Sequence, residues 1–523
     1  MHLVNSQQIR RLEDRAIRDF GIPGILLMEN AALAVVREIW RHFTDRKQKL
    51  IGLKAAVLVG KGNNGGDGLA IARHLVLSGF EVTAFLMAKP QDLKGDAELN
   101  YRLYTGTEGK LFVIDGEKQK RLARFAFAQA DVVVDALYGT GLRGAMPAIA
   151  EEYIEEINQA KAWVVAVDIP SGVEADTGKV YRLAVRADLT VTFGLPKLGH
   201  FLGQGPEFSG QVVVDAISIP PTYLEDEELS NYILTAQALS LIMPVRQLQG
   251  HKGTHGKGIL AAGSLGMSGA AILAGRAALR TGLGLLQIVT PHKVVPVVAN
   301  GVIEGTVWPA SGDSLLDAES WPVIQERCQG AQALALGPGL GVNEKFLAVL
   351  EKILLDLSLP LVLDADALNL VALDPRILDR RQGRGPLILT PHPGEMARLC
   401  NLTTGEVQEN RLELAVSKAI EWGAVVVLKG AVTVVAAPDG RAFLNPTGNP
   451  GLGTGGTGDV LTGSILSWLA QGVPPLEAAC LAVYLHGKAA EILAEKFGWS
   501  GFTASELAES LPQARRQLEL SRC

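Results

Sequence analysis

The chain carries the run Asn-Pro-Gly-Leu-Gly-Thr-Gly-Gly-Thr-Gly-Asp at residues 449–459, and a helix-like segment, Val460-Leu461-Thr462-Gly463-Ser464-Ile465-Leu466, follows directly. Glycines this dense before a helix leave backbone N–H groups free to face an anion, and the helix dipole favours negative charge there. The run therefore predicts a phosphate site. Asp459 would repel phosphate unless it takes a proton from a hydroxyl group that is being phosphorylated, so the stretch indicates phosphoryl transfer. The alternative is that Asp459 only caps the helix.

The half of the chain around this run has the pattern of an α/β domain. Short apolar runs predict strands at residues 258–262, 285–289, 333–336, 361–364, 387–389 and 425–428. From Thr457 onward the pattern is helical almost to the end, with helices predicted near residues 457–471, 474–497 and 503–518. The uncharged stretch 258–275 contains five glycines and two serines, so it predicts buried core rather than a membrane span.

The first half predicts a second, different α/β domain. Two helical segments near residues 6–20 and 23–42 precede β-rich runs at 55–59, 81–86, 131–135, 163–168 and 189–193. Strands of this length with helical spacers predict a Rossmann-like doubly wound sheet that is mostly parallel. The proline pair Pro220-Pro221 and the acidic run 225–228 favour a boundary there. We therefore expect domains at 1–220 and 236–523, joined by a linker at 221–235.

Composition excludes several classes of function. With 523 residues, 48% apolar and 20% charged, the chain should be globular with about two to four domains. A net charge of −6 offers no general basic surface for nucleic acid or anionic lipid. Its four cysteines, Cys328, Cys400, Cys480 and Cys523, form no CxxC pair, and the N-terminus lacks a signal-peptide pattern. We expect a cytoplasmic protein that neither binds nucleic acid nor enters a membrane.

In the second half, polar segments follow several predicted strands. They are Gly337-Pro338-Gly339-Leu340-Gly341, Asp364-Ala365-Asp366-Ala367-Leu368-Asn369, Thr390-Pro391-His392-Pro393-Gly394-Glu395 and Lys429-Gly430-Ala431-Val432-Thr433. Each segment alone is a weak signal, because an isolated His392 or Lys429 is more often a packed or solvated residue. Ligands bind at the carboxyl ends of strands in open α/β sheets, so together the segments predict one pocket.

These segments and the glycine run resemble the ribokinase-like dehydratases that repair hydrated nicotinamide cofactors. The resemblance covers residues 230–515, with Gly453 where alanine is more usual. It implies that ADP or ATP drives the dehydration of (6S)-NAD(P)HX, the hydrated cofactor, back to NAD(P)H. It places Asp459 and Gly458 at the reacting hydroxyl group. The resemblance assigns the nucleotide to Lys429, Gly430, Ala431, Val432 and Thr433, with Gly455, Gly456, Thr457 and Gly458, and the hydrated cofactor to Ala270, Gly339, His392 and Asp459.

That chemistry is physically consistent with a kinase-like site. Hydroxide is a poor leaving group and a phosphate ester is a good one, so phosphorylation of the hydroxyl group can drive a dehydration. Asp459 would accept the hydroxyl proton, the amides of residues 455–458 would stabilise the transferred phosphoryl group, and Mg²⁺ would bridge the nucleotide oxygens. No residue is a clear magnesium ligand, although Glu395 and Asp364 are candidates.

In the first half, loops after three predicted strands carry candidate ligands. The sequence Gly60-Lys61-Gly62-Asn63-Asn64-Gly65-Gly66-Asp67-Gly68 opens a helix and predicts a phosphate-binding turn, although it is neither GxGxxG nor a Walker loop. Gly139-Thr140-Gly141-Leu142-Arg143-Gly144 predicts a second anion loop, in which Arg143 can pair with phosphate. Asp168, in Val167-Asp168-Ile169-Pro170-Ser171-Gly172, is either a loop-bracing or capping carboxylate or an active-site group.

With Ala175-Asp176-Thr177-Gly178 and residues 192–197, these loops resemble the NAD(P)HX epimerases over residues 1–220. The resemblance implies interconversion of the R and S hydrates, with Asp168 as the candidate acid–base residue. It implies a K⁺ ion held by Asn64, Asp135 and Ser171, whose oxygen atoms suit such an ion. It assigns the hydrated cofactor to Asn63, Asn64, Gly65, Gly66, Asp67, Gly139, Thr140, Gly141, Leu142, Arg143, Gly144, Ala145 and Asp168.

Other interpretations of the sequence stay open. The second half could be a small-molecule kinase for a vitamin precursor, because the fold and Asp459 would be the same. The first half could be a nucleotide-binding or scaffold module without chemistry. NADHX, NADPHX and ADP or ATP are the small-molecule partners expected, and the apolar N-terminal helical segment suggests a homo-oligomer.

Overall fold

The computed structural model describes residues 1–226, 228–246, 248–381 and 383–522, so Glu227 of the acidic run and Cys523 lie outside it. The chain divides into two compact units, of which the first spans His2–Ser230 and the second runs from Asn231 to the C-terminus. Residues 221–235, predicted as a linker, contain the short helix Pro221–Leu224 and the strand Asn231–Ile233.

The first unit is a doubly wound parallel sheet, which confirms the predicted Rossmann-like class. The short strand β1 His2–Leu3 precedes the strands of this sheet, which are β2 Lys54–Val59, β3 Glu81–Leu86, β4 Lys110–Val113, β5 Val132–Ala136, β6 Trp163–Val167, β7 Leu189–Phe193 and β8 Gln211–Asp215. The parallel sheet has the order β4-β3-β2-β5-β6-β7-β8. Its helices are α1 Ser6–Arg18, α2 Gly24–Asp45, α3 Asn63–Leu77, α4 Gly95–Thr105, α5 Glu117–Gln129, α6 Ala148–Gln159, α7 Gly205–Ser209 and α8 Pro221–Leu224.

Apolar residues cover both faces of this sheet. Side chains of α2 and α3 form one core cluster with the sheet, and side chains of α5 and α6 form another. The central strands β2, β5 and β6 are nearly continuous runs of Val, Ala and Leu, as expected for parallel strands buried on both sides. Strand order reverses between β2 and β5, so the carboxyl ends of these strands border the crevice in which doubly wound folds bind ligands.

The second unit is also α/β. Its strands are β9 Asn231–Ile233, β10 Lys257–Ala261, β11 Leu285–Pro291, β12 Thr306–Ala310, β13 Ala333–Leu336, β14 Leu361–Leu363, β15 Leu387–Leu389, β16 Val425–Leu428, β17 Val434–Ala436 and β18 Ala442–Leu444. They follow the order β9-β18-β17-β16-β15-β14-β13-β10-β11-β12. Pairing is parallel from β16 through to β12, and β17 is antiparallel to both of its neighbours.

Helices cover the second sheet. They are α9 Ala236–Ile242, α10 Ser268–Thr281, α11 Val295–Gly301, α12 Trp321–Cys328, α13 Leu347–Asp356, α14 Ala365–Val371, α15 Pro393–Cys400, α16 Thr404–Glu409, α17 Arg411–Trp422, α18 Thr457–Ala470, α19 Pro475–Phe497 and α20 Ala504–Leu520. Helices α10, α18, α19 and α20 share one large apolar core. None of the helices that the structure describes is long and apolar enough to cross a membrane.

Several strands were missed by sequence analysis. Strands β9, β17 and β18 were not predicted; they have three residues each, as do β14 and β15, which were predicted. Strand β12 contains Pro309, a residue that the sheet tolerates because β12 pairs with β11 alone. Strands β4 and β8 lie at the two edges of the first sheet and carry fewer buried residues than the central strands.

Candidate active sites

The predicted polar segments of the second unit meet at one sheet edge. Strands β13 to β16 are neighbours and parallel, so the loops that follow them emerge side by side. Asp364 follows β14, His392 comes shortly after β15, and Lys429 follows β16. Two of these residues are in direct contact, because the Lys429 Nζ lies 2.7 Å from the Asp364 Oδ1.

Asp364 is buried and fully engaged within the protein. Its Oδ1 accepts hydrogen bonds from the Lys429 ammonium and, at 2.7 Å, from the Thr390 hydroxyl, and its Oδ2 accepts one at 2.6 Å from Thr462 on α18. Burial alone would raise the pKa of Asp364, but Lys429 and the two hydroxyl groups outweigh it and lower that pKa. Asp364 is therefore an anion that positions Lys429.

The Lys429 ammonium lies at the N-terminus of α18. Its Nζ is only 3.5 Å from the point where a side chain on Gly458 would begin. Burial would lower the pKa of Lys429, but Asp364 and Glu395, whose Oε2 is 3.8 Å from Nζ, raise it. A cation is electrostatically unfavourable at a helix N-terminus, so the carboxylates hold this charge where it can attract a phosphate group.

Asp459 occupies the first turn of α18 without capping it. The N-cap position is Gly456, with φ of +90°, and no side chain forms a capping hydrogen bond there. Burial, followed by the negative charge of Asp364, raises the pKa of Asp459 to about 7, although Lys429 opposes the shift. A carboxyl group with this pKa is suited to general base catalysis near neutral pH.

The glycine run leaves an amide cluster beside Asp459. The N–H groups of Gly456, Gly458 and Asp459 donate to no acceptor in the part of the chain that the structure describes. They belong to the start of a fourteen-residue helix whose dipole favours an anion. His486 braces the turn, since its Nε2 lies 2.9 Å from the Thr457 carbonyl oxygen.

Residues predicted to bind the hydrated cofactor fall into two groups. Gly339 packs so closely on Ala270 that a Cβ at position 339 would lie 2.8 Å from the Ala270 Cβ. His392 belongs to another loop. Its ring Nδ1 accepts a hydrogen bond from the backbone N–H of Gly394 at 3.0 Å, and its backbone N–H donates to the Glu395 Oε2 at 2.7 Å. Burial, Lys429 and Arg398 lower the pKa of His392, so this ring is neutral at pH 7.

In the first unit, the predicted phosphate turn follows β2 and opens α3. Gly60 and Gly65 approach the backbone too closely for a side chain, since a Cβ on either would lie 1.9 Å from a carbonyl oxygen. A Cβ at Gly139 would lie 3.3 Å from the Asn64 Oδ1, so the two predicted anion loops are adjacent. Together they line the crevice between β2 and β5.

Asp168 follows β6 in a left-handed backbone conformation, with φ of +67°. Its Oδ1 lies 2.5 Å from the Nζ of Lys197, a residue whose side chain is 1% exposed, and accepts a hydrogen bond from Thr192 at 3.0 Å. Burial opposes ionisation, but Lys197 outweighs it and lowers the pKa of Asp168. The His200 Nε2 lies 2.9 Å from the Asp168 carbonyl oxygen, which fixes the unusual backbone.

Two other carboxyl groups lie in the field of this ion pair. Burial and the Asp168 charge raise the pKa of Asp67 well above its usual value. Burial raises the pKa of Glu13, on α1, to about 7, partly opposed by Lys197. The site thus combines a carboxyl group whose pKa is lowered, Asp168, with two whose pKa values are raised, Asp67 and Glu13, and such a separation of pKa values suits acid–base catalysis.

The residues assigned to K⁺ lie at the carboxyl ends of the central strands. Asp135 is fully buried, and its Oδ1 and Oδ2 accept from the Ser171 hydroxyl at 2.6 Å and the Ser171 N–H at 2.7 Å. Burial raises its pKa to about 6. Among the described residues Asp135 has no basic partner, and the buried Asn64 Nδ2 has no hydrogen-bond partner. An oxygen-rich site with an uncompensated carboxylate fits a monovalent cation.

Arg143, predicted to pair with phosphate, contacts protein side chains, among them Glu174 at 4.0 Å. Its Nη2 lies 2.7 Å from the Asp176 Oδ2 and donates to the Ser6 hydroxyl. The side chain is nevertheless half exposed, so a phosphate could share it.

Some site residues were missed by sequence analysis. Lys197 lies within the segment 192–197 that contributed to the resemblance, but its pairing with Asp168 had no local signal. Thr390 and Thr462 likewise gave no sign that they meet at Asp364. Arg411, at the start of α17, donates to the carbonyl oxygens of Leu428 and Lys429, and no local pattern in the sequence indicated this contact.

Two family models match this chain, one in each half. A family model described as NAD(P)H-hydrate dehydratase matches residues 258–513. Another, described as the YjeF-related protein N-terminus, matches residues 25–199.

Curated relatives match over nearly the whole chain. The bifunctional NAD(P)H-hydrate repair enzyme Nnr of Moorella thermoacetica is 42% identical over 99% of this chain and 97% of its own length. The protein of the same name from Thermofilum pendens is 39% identical over 99% and 97%. Among solved structures, an ADP/ATP-dependent NAD(P)H-hydrate dehydratase from Bacillus subtilis, co-crystallized with ATP/Mg²⁺, is 37% identical, with a TM-score of 0.48, covering 55% of this chain and 99% of that chain. The chain belongs to the family of bifunctional NAD(P)H-hydrate repair enzymes.

Proposed function

We propose that the second unit dehydrates (6S)-NAD(P)HX to NAD(P)H with ADP or ATP as phosphoryl donor. The observation that carries this proposal is Asp459, whose pKa is raised to about 7 at a helix N-terminus that also holds the Lys429 ammonium. A base and a cation at one group of free amides suit the phosphorylation of a hydroxyl group. The residues 429–433 and 455–458 bind the nucleotide, and Ala270, Gly339, His392 and Asp459 bind the hydrated cofactor.

In the first step, Asp459 takes the proton of the hydroxyl group on C6 of the hydrated nicotinamide ring. The oxygen then bonds to the terminal phosphorus of the nucleotide, whose bridging P–O bond breaks. Lys429 and the free amides of Gly456 and Gly458 stabilise the charge on the transferred group. The C6–O bond then breaks, phosphate leaves with the bonding electrons, and a proton passes from C5 to solvent, which restores the C5–C6 double bond. The products are NAD(P)H, inorganic phosphate and the nucleotide shortened by one phosphate, AMP from ADP or ADP from ATP.

Mg²⁺ fits this site only when it is bound to the phosphates of the nucleotide. Both oxygens of Asp364 are occupied by Lys429, Thr390 and Thr462, and Glu395 is engaged with His392. No group of three His, Cys, Asp or Glu residues within the described ranges could hold a metal ion. When bound, the ion would neutralise phosphate charge. Asp364 and Glu395, the candidate ligands from the sequence, are better explained as partners of the Lys429 charge.

We propose that the first unit interconverts the R and S hydrates. Inversion at C6 requires a bond at that carbon to break and re-form. As the C6–N1 bond breaks, the hydroxyl proton is passed to N1 and an open-chain aldehyde is left; N1 then adds to the opposite face of the carbonyl group and the proton returns to oxygen. The residue for these proton transfers is Asp168, an anion that Lys197 holds in place. The loops at residues 63–67 and 139–145 hold the phosphates and ribose of the hydrate. Asn64, Asp135 and Ser171 hold K⁺, which would compensate the buried Asp135 charge.

The two activities complement each other on one chain. A dehydratase that accepts only the S hydrate leaves the R hydrate unused, and an epimerase makes the whole damaged pool available. We also propose a cytoplasmic location, which the unpaired cysteines Cys328, Cys400 and Cys480 favour. Self-association remains a prediction that sedimentation analysis would test.

Two variants test the assignments separately. Purified (S)-NADHX with MgADP or MgATP should yield NADH and inorganic phosphate, and Asp459→Asn should lose roughly a hundredfold or more in rate. A stable phosphorylated product would instead favour a small-molecule kinase. Asp168→Asn should lose R-to-S exchange while its circular dichroism spectrum stays that of the wild type. Exchange at the wild-type rate would exclude Asp168 as the acid–base residue.

A further inference from the structure

The lysine loop, residues 428–432, curls around one guanidinium group. The Nη2 of Arg411 donates to the carbonyl oxygens of Leu428 at 3.0 Å, Lys429 at 3.1 Å and Val432 at 3.0 Å. Its Nη1 donates to the Gln408 Oε1 at 2.8 Å. Three backbone carbonyl groups of one short loop thus share a single side chain.

Two observations show that this contact is specific. A Cβ at Gly430 would lie 2.5 Å from the Arg411 Nη2, so only glycine leaves room for the guanidinium group. Arg411 has no carboxylate partner among the described residues, and burial lowers its pKa to about 10. The group is still charged at neutral pH, so its charge is balanced by carbonyl dipoles alone.

The contact determines which way the loop amides face. In a trans peptide the C=O and N–H groups point in opposite directions. Because the carbonyls of Leu428, Lys429 and Val432 point to Arg411, the N–H groups of Lys429, Gly430 and Thr433 face away from it. The Lys429 N–H donates to the Pro391 carbonyl at 2.9 Å. Those of Gly430 and Thr433 donate to nothing in the described part of the chain.

We propose that Arg411 is a positioning residue for the nucleotide, holding the lysine loop so that the Gly430 and Thr433 amides face ADP or ATP. This inference rests on the proposed nucleotide site at residues 429–433. Arg411 acts through the loop rather than through the reacting atoms. It should therefore govern affinity for the nucleotide and leave affinity for the hydrated cofactor unchanged.

Arg381 provides a matched control in the same unit. It is also buried, has a pKa lowered to about 10 by burial, and donates to the carbonyl oxygens of Leu354, Leu357 and Leu359, each at 3.0 Å. These carbonyls lie near the end of α13 and after it, outside the loops proposed to bind ligands. Arg381→Lys therefore measures the cost of disturbing such a cluster without touching the lysine loop.

The test compares Arg411→Gln, Arg411→Lys and Gly430→Ala with Arg381→Lys and the wild type. We expect the KM for ADP to rise roughly tenfold in Arg411→Gln and Gly430→Ala, which corresponds to one lost contact. Arg411→Lys should recover part of this loss, and the KM for (S)-NADHX should stay within about twofold. Arg381→Lys should keep the wild-type KM for ADP even if its melting temperature falls as far as that of the Arg411 variants.

Calorimetric titration with MgADP separates this inference from the proposed function. If the wild type binds MgADP but does not dehydrate (S)-NADHX, the proposed function fails, while a weaker Kd in the Arg411 variants still supports the positioning role. A Kd and KM for ADP in Arg411→Lys and Gly430→Ala equal to those of Arg381→Lys would overturn it. Absence of MgADP binding to the wild type would overturn it as well.

Discussion

The surroundings of Asp459 suit this residue to the proposed role of general base. Burial and the nearby Asp364 charge raise its pKa to about 7, while Lys429 limits the shift. We predict that dehydratase kcat rises with pH through an inflection near 7, because the ionised form of Asp459 is the one that accepts the proton. Initial rates at saturating (S)-NADHX and MgADP between pH 5 and 9 check this. A rate independent of pH above 5 would contradict the assignment.

The raised pKa of Asp459 also predicts how the stability of the protein changes with pH. The folded state binds the Asp459 proton more tightly than the unfolded chain, whose carboxyl has a pKa near 3.8. The wild type should therefore lose stability as pH rises from about 4 to 7. Asp459→Asn is neutral throughout, so its melting temperature should exceed that of the wild type at pH 8 and approach it near pH 4. Thermal unfolding at both pH values measures the difference, and an equal offset at both would exclude the raised pKa.

In the first unit, we predict the effect of removing the Lys197 charge that pairs with Asp168. Lys197→Met would leave the Asp168 carboxylate without its cation, which costs about 3–5 kcal/mol for a buried pair. Epimerase activity should fall with stability, because the pKa of Asp168 would rise. The double variant Lys197→Met/Asp168→Asn removes both charges and should recover stability but not activity. Urea unfolding and R-to-S exchange check this, and a double variant less stable than Lys197→Met would contradict it.

At this scale, sequence alone singled out Asp459, Lys429 and Asp168 as candidates because each follows a predicted strand or opens a predicted helix, and their roles stay predictions. Lys197 and Arg411 could not be assigned, since they reach their partners from other elements and have no local pattern. The raised pKa values of Asp67 and Glu13 also depend on burial, which only the folded structure reveals.

At the scale of elements, α18 connects the glycine run to the core. Its Gly463 touches α10 so closely that a Cβ there would lie 2.0 Å from the Ala274 carbonyl oxygen. We predict that Gly463→Ala pushes the two helices apart and costs about 2 kcal/mol or more. Gly405→Ala, in α16, meets only one atom at 3.8 Å and should be nearly neutral. Chemical denaturation compares the two, and equal stability of the two variants would contradict this packing.

Sequence analysis was most successful with the long elements. Helices α18, α19 and α20 and the central strands begin and end within a few residues of their predicted positions, because their apolar patterns match one period throughout. The antiparallel strands β17 and β18 were missed, although β14 and β15 are equally short and were predicted. Strand β17 begins directly after residues 429–433, which had been assigned to a binding loop. The loop between β16 and β17 was predicted from its residues 429–433, but its contact with Arg411 was not, because Arg411 lies on α17.

At the scale of the whole molecule, each unit has its own sheet, core and site. We predict that the activities can be removed one at a time: Asp459→Asn should retain R-to-S exchange, and Asp168→Asn should retain dehydration of (S)-NADHX. An equimolar mixture of the two variants should restore conversion of both hydrates. Loss of both activities in either single variant would contradict this separation, provided that the variant keeps the wild-type melting temperature.

The most direct test of the account follows absorbance at 340 nm while the full chain meets a mixture of R and S NADHX with MgADP. We predict complete conversion to NADH by the wild type and none by Asp459→Asn. Asp168→Asn should stop once the S hydrate is consumed. A wild type that also stops at that point would contradict the epimerase assignment. Absence of conversion with both ADP and ATP would contradict the central claim that this chain repairs hydrated nicotinamide cofactors.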